Sequence, residues 1–320
     1  MDTVAMIKLF GGLTYLLIAG DLLVRGALSL SRQARIPPMI VGLTVVAFGT
    51  SAPELFVSVS AAMQGLPGIA LGNVVGSNIA NVLLVLGLPA LIRATDCSQP
   101  SASRDGGLMF GVSVLFAAMC AMGTLGNKQG VMMLVGLGIY LVLVARSGKL
   151  EVDGLDTKVD RVLGLPSQKH MIALFFVIGL AGLQLGAKLT IDGAEAVAEQ
   201  AGVPDTVVAL TVIALGTSLP ELATTMMAAF QRQPDVAIGN VLGSIIFNLL
   251  AIMGLTSLVA PQPIPVPEAI LRFDLPVMLA SALALAAFTW TGRPIGFRAG
   301  VLLLTGYFVY VGVLIPLRPV

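Results

Sequence analysis

The sequence predicts an all-α polytopic membrane protein: ten transmembrane helices arranged as two five-helix repeats of inverted topology. Three observations carry this. Of 320 residues, 57% are hydrophobic and 11% charged, with a mean hydropathy of +0.96, a composition of membrane bundles and not of soluble domains. The octapeptide Ala47-Phe48-Gly49-Thr50-Ser51-Ala52-Pro53-Glu54 returns as Ala214-Leu215-Gly216-Thr217-Ser218-Leu219-Pro220-Glu221, and the offset of 167 residues holds without a gap well beyond it. The same offset takes Gly72-Asn73-Val74 to Gly239-Asn240-Val241, Gly76-Ser77 to Gly243-Ser244 and Asn81 to Asn248, so the chain is a duplication. Each copy holds five apolar runs, and an odd number of spans turns the second copy upside down in the membrane.

The runs follow from length and punctuation. Apolar segments cut by Gly, Pro and charge lie at 4–30, 38–63, 69–92, 106–124, 128–146, 170–195, 205–230, 236–259, 270–290 and 296–316. The first is long and lacks a small-residue cleavage site, which reads as a helix and not a signal peptide. The second contains Pro53 and the seventh Pro220, so both are expected to kink or open. Between the fifth and sixth lies the most polar connection, and Pro261 to Pro267 form another. The expected division is therefore a first repeat at 1–146, a cytoplasmic connection at 147–169 and a second repeat at 170–320. Arg32, Arg35, Arg93, Arg104, Arg146, Lys149, Lys158, Arg161, Lys169, Arg232, Arg293 and Arg298 fall on one set of connections. Only Lys8, Lys128, Arg272 and Arg318 fall on the other, so the rich side is expected to be cytoplasmic and both termini extracytoplasmic, in a cell (inner) membrane.

Composition also excludes. A net charge of +1 without a basic patch leaves no nucleic-acid role. Cys97 and Cys120 make no disulfide framework, and the single His170 leaves no histidine-based metal site. No nucleophile–base pair stands out, so an enzyme is not expected, nor a cofactor, nor an obligatory protein partner beyond the lipid bilayer.

The doubled octapeptide is the chemical centre. Pro53 has no N–H for a helical ladder, and opening the helix frees carbonyls around Ala47 to Thr50. A carboxylate at membrane depth is costly, which makes Glu54 and Glu221 candidate site residues. Positions 47, 50, 51 and 54 share one helical face, and Ser77 and Asn81 share a face of the next span. Inversion sets Glu221 opposite Glu54, with Thr217, Ser218, Ser244 and Asn248 completing a cage of oxygen donors. Such a cage selects Ca²⁺ or Na⁺ over soft metals, and one Ca²⁺ or two to three Na⁺ would neutralise it. Mutual exclusion of two cation types on one pair of acids is the basis of antiport.

GTSAPE with GNVVGSNIAN, and GTSLPE with GNVLGSIIFN, resemble the paired alpha-repeats of the sodium/calcium exchanger family. The resemblance covers both halves. It implies secondary active exchange of Ca²⁺ for Na⁺ by alternating access, with the first helix of each repeat sliding across the core. It further implies that Glu54 and Glu221 bind Ca²⁺ with Thr50 and Thr217. By the same resemblance Ala47, Ser51 and Ser77, with Ala214, Ser218 and Ser244, form flanking Na⁺ sites, and Asn81 and Asn248 close the central one. Some relatives carry aspartate where this chain has asparagine, which weighs against K⁺ co-transport. H⁺/Ca²⁺ exchange and K⁺-dependent Na⁺/Ca²⁺ exchange stand as alternatives, with a passive cation channel ranked below them.

Four further charges are buried by position: Asp21 and Arg25, and their counterparts Lys188 and Asp192 with the signs exchanged. As i, i+4 pairs they are expected to neutralise each other. Gly72, Gly76, Gly239 and Gly243 suit close helix packing, and Trp290, Tyr307 and Tyr310 suit interfacial anchors.

Overall fold

The computed structural model describes residues 3–147, 164–200 and 216–317. The first copy comprises α1 (Thr3–Ala34), α2 (Pro38–Thr50), α3 (Ala52–Met63), α4 (Pro67–Ile92), α5 (Pro100–Cys120) and α6 (Asn127–Ser147). The second comprises α7 (Lys169–Gln200), α8 (Leu219–Phe230), α9 (Pro234–Val259), α10 (Ile270–Thr291) and α11 (Phe297–Leu317). Among the described residues, seven helices are long and apolar enough to cross a membrane, or eight if α2 and α3 are one span bent by 44°. That stops short of the expected ten, because α5 is diluted by Arg104 and Asp105 and α8 is described over only twelve residues. Its expected N-terminal part, including Ala214, lies outside the described residues.

The most extensive packing joins α1 to α7. Their contacts run in opposite chain directions: Gly12 meets Gly186 and Thr190, Gly182 meets Ala19, Gly179 meets Leu23 and Gly26 meets Phe175. The two first helices are therefore antiparallel, and glycines let their backbones close up. Elsewhere Gly239 and Gly243 of α9 lie against Met39, Leu43 and Ala47 of α2, the close packing expected of them. Gly72 and Gly76 make no such contact among the described residues.

Short pairings close the ends in a matched way. Strand β1 (Thr124–Leu125), between α5 and α6, pairs antiparallel with β2 (Ile264–Pro265), between α9 and α10. Thr95, between α4 and α5, bridges Ile295, between α10 and α11. Each pairing joins the connection before the fourth span of one copy to the one after the fourth span of the other.

At the centre is α9, whose apolar window is 100% buried, against 33% for α1 and for α7. Leu242, Ile245, Ile246 and Leu249 of α9 share one core with Leu71, Val75 and Ile79 of α4 and Met278 and Leu285 of α10. Helix α5 begins at Pro100, earlier than the expected 106, with Arg104 inside its first turns and ion-paired to the buried Asp105 at 2.9 Å. Proline at the first helical position is favourable, and it outweighs the polar residues that read as a loop. Trp290 is exposed, as an anchor requires, whereas Tyr307 and Tyr310 are buried. The reason is a partner: the Tyr310 hydroxyl donates to Asp274 Oδ1 at 3.0 Å, inside the bundle.

Candidate cation site

The two copies break in the same way. Ser51 (φ −83°, ψ 8°) and Ser218 (φ −87°, ψ 1°) leave the helical region at equivalent positions, each two residues before its proline. The helix holds as far as Ser51, whose N–H donates to the Ala47 carbonyl at 3.0 Å. The Ala47 carbonyl is therefore not freed as expected; the carbonyl left without its helical donor is that of Gly49, four before Pro53. Glu54 and Glu221 then sit in the first turns of α3 and α8, a favourable place for a carboxylate.

Both glutamates are fully buried, at 0% exposure. Neither carboxylate oxygen of Glu54 has a hydrogen-bond partner among the described residues, nor has Glu221 Oε2. Ser51 Oγ donates across the copies to Glu221 Oε1 at 3.0 Å. Thr50 Oγ1 donates to Asn240 Oδ1 at 3.3 Å, also across the copies, with the Ala47 carbonyl a second acceptor at 3.3 Å.

The next spans supply amides. In α4 a π turn runs from Asn81 to Val85, and in α9 another runs from Asn248 to Ile252, positions related by the same offset. Such turns widen a helix locally and recur at functional sites. Helix α8 packs on the π turn of α4, and α3 packs on the π turn of α9, so the helix that carries each acid lies against the other copy's asparagine turn. Both side-chain polar atoms of Asn81, Asn248 Oδ1, Ser244 Oγ, Ser218 Oγ and Thr217 Oγ1 are buried without a partner among the described residues. Ser77 is buried as well, and Ala47 packs with Phe247 and Ala251.

Of the predicted residues, the described structure joins Ser51 to Glu221 directly and Thr50 to the Glu221 backbone through Asn240, while Asn81, Asn248, Ser77, Ser244, Thr217 and Ser218 carry buried side-chain atoms on the elements around them and Ala47 packs with Phe247 and Ala251. Among the described residues no three His, Cys, Asp or Glu side chains converge; the acids here are two, and the remaining donors are neutral oxygens. Buried carboxylates without partners are costly, and a hard cation is what relieves them. Three asparagines escaped the sequence reading. Asn248 Nδ2 donates to Asn78 Oδ1 at 3.0 Å, and position 78 has isoleucine as its counterpart, so no repeat signal marked it. Asn73 and Asn240 are the other two.

Of the four charges in the first helices, Arg25 Nε pairs with Asp21 Oδ2 at 2.7 Å as expected. Asp21 Oδ1 also accepts from Gln231 Nε2 at 2.6 Å, which ties α1 to the turn after α8. Lys188 and Asp192 form no ion pair with each other among the described residues.

The family model described as sodium/calcium exchanger protein matches residues 4–146 and 171–315, nearly the whole chain. The chain belongs to the sodium/calcium exchanger family. It is 39% identical to the putative antiporter CaxA of Alkalimonas amylolytica over 284 residues, 88% of each chain. It is 33% identical to the sodium/calcium exchanger MaX1 of Methanosarcina acetivorans, covering 98% of this chain and 99% of that one. Solved structures of the sodium-calcium exchanger NCX_Mj superpose with a TM-score of 0.84 at 28% identity, over 98% of this chain and 99% of the other. This exchanger is accordingly an all-helical membrane protein and a cation/Ca²⁺ antiporter, in a family of transporters and not of enzymes.

Proposed function

We propose that the protein is a secondary active antiporter that exchanges Ca²⁺ for Na⁺ across the cell membrane by alternating access. Its frame is ten helices in two inverted five-helix repeats, divided at 147–169, with that connection cytoplasmic and both termini outside. The antiparallel contact of α1 and α7 and the matched end pairings support the inversion.

The observation that carries the reading is the pair of fully buried glutamates, three of whose four carboxylate oxygens have no partner among the described residues, on helices that pack against the other copy's asparagine turn. Glu54 and Glu221 bring two negative charges, which one Ca²⁺ balances. Thr50 and Thr217 add oxygens to the same ion, and Asn81 and Asn248 close it. Ser51, Ser77 and Ala47, with Ser218, Ser244 and Ala214, offer only neutral oxygens and so suit monovalent Na⁺ on either flank. A doubly charged empty pocket is expensive to carry across, so the ions exchange and do not leak. The names of MaX1 and NCX_Mj favour Na⁺ as the coupling ion. With Asn81 and Asn248 in place of acids, no third carboxylate calls for K⁺.

Purified protein in liposomes tests this. ⁴⁵Ca²⁺ uptake is expected under an outward Na⁺ gradient in K⁺-free medium. Uptake driven by a pH gradient alone would establish the H⁺/Ca²⁺ alternative, and uptake only with K⁺ the K⁺-dependent one.

A further inference from the structure

Asn73 Nδ2 donates to the backbone carbonyl of Glu54 at 3.3 Å and to Ser58 Oγ at 3.0 Å. Asn240 Nδ2 does the same in the second copy, to the carbonyl of Glu221 at 3.5 Å and to Thr225 Oγ1 at 3.1 Å. All six residues obey the 167-residue offset. In each copy one amide on the third span grips one face of the half-helix that carries the acid, at the acid itself and one turn beyond.

Two bonds to one helix face fix the rotation of that helix about its axis. Rotation matters because a carboxylate stands about 6 Å from the axis of its helix, so a 20° turn moves it by about 2 Å. That displacement is several times the spread of Ca²⁺–oxygen distances, which lie between about 2.3 and 2.6 Å. Helices α3 and α8 begin at a break, at Ser51 and Ser218, which loosens the hold of the preceding chain on their rotation.

Asn240 has one bond more. Its Oδ1 accepts from Thr50 Oγ1, so this amide ties a hydroxyl of the first copy's site to the acid of the second. The mirror-image bond, Thr217 to Asn73, is not formed, and Thr217 Oγ1 is buried without a partner among the described residues.

We propose that Asn73 and Asn240 are positioning residues of the exchange reaction. Each sets the aim of its own copy's glutamate, and Asn240 also couples Thr50 to Glu221. The proposal rests on Glu54 and Glu221 being the Ca²⁺ ligands. It differs from mere adhesion between helices: lost adhesion lowers thermal stability and leaves the Ca²⁺ affinity of the folded fraction alone, whereas lost aim moves affinity.

The test is ⁴⁵Ca²⁺/Ca²⁺ self-exchange in proteoliposomes, which needs no assumption about the coupling ion, together with thermal unfolding without Ca²⁺. Asn73→Ala and Asn240→Ala are each expected to raise KM for Ca²⁺ about tenfold, with kcat changed less. Asn240→Asp keeps the acceptor for Thr50 and loses the donor, so it should raise KM like Asn240→Ala. Thr50→Val combined with Asn240→Ala should raise KM less than the product of the single effects, because the two share a bond. If the alanine variants do not fold, Ser58→Ala and Thr225→Val remove one arm of each clamp and should raise KM two- to threefold. Unchanged KM in the folded variants, with only a lower unfolding temperature, overturns the proposal. Glu54→Gln is the control. Its loss of exchange beside unchanged asparagine variants sinks the clamp alone, while wild-type exchange in Glu54→Gln overturns the site itself.

Discussion

Glu54→Gln changes charge with the least change in shape. Both Glu54 carboxylate oxygens are buried and without a partner among the described residues, so under the proposed function a bound cation answers the charge. With charge centres about 3 Å apart and an effective dielectric of about 20, a divalent ion and one carboxylate attract by about 11 kcal/mol. The amide oxygen still ligates as a dipole. Retaining about one third of the loss gives about 4 kcal/mol, or about a thousandfold weaker Ca²⁺ binding. Without the ion the sign reverses, because glutamine replaces a buried carboxylate whose oxygens have no partner among the described residues. The variant should therefore unfold at a higher temperature than the wild type in Ca²⁺-free detergent. Adding Ca²⁺ at a hundred times the wild-type Kd stabilises the wild type by about 2.7 kcal/mol. The same concentration is about a tenth of the variant's Kd and adds about 0.1 kcal/mol, within the error of a thermal scan. Equal Ca²⁺-induced shifts in the two proteins would refute the reasoning.

Other expectations follow from the frame. A cysteine at Val152 should be labelled only from the cytoplasmic side and one at Gly202 only from the other; labelling of both from one side would remove the inversion. The native Cys97 will not confuse that experiment, since it is buried and burial pushes its thiol up to about 12. Gly179→Val places a branched side chain where a Cβ already lies 3.0 Å from Leu23 and 3.1 Å from the Ala19 carbonyl. It should cost about 1 to 3 kcal/mol of stability, read as a lower unfolding temperature; no change would contradict the close antiparallel contact of α1 and α7. Arg232 holds a φ of 62° where its counterpart Gly65 has 75°, so Arg232→Gly should stabilise by about 1 kcal/mol. A loss of stability there would mean that the arginine side chain contributes more than its backbone costs.

Much of the site was legible because the chain states it twice. Glu54 and Glu221 stand out against apolar surroundings, and the prolines beside them announce the break at Ser51 and Ser218. The clamp was hidden for the opposite reason. Asn73 and Asn240 sit beside glycines in apolar helices, and their partners are a backbone carbonyl and a hydroxyl on another helix, which no local pattern reports. The π turns at Asn81 and Asn248 were equally silent, since a helix that is apolar on all sides carries no period from which a widened turn would depart. Tyr310 looked like an anchor by its place near a helix end, but Asp274 supplies the buried partner that holds it inside.

The central claim is that one pair of acids serves either Ca²⁺ or Na⁺ and never both. Equilibrium binding of ⁴⁵Ca²⁺ to purified protein, titrated with Na⁺ and separately with K⁺, measures it directly. Na⁺ is expected to displace Ca²⁺ completely and with a Hill coefficient above one, because more than one Na⁺ must balance two glutamates, while K⁺ at equal ionic strength does not. Ca²⁺ that stays bound at saturating Na⁺, or that K⁺ displaces equally well, would contradict it.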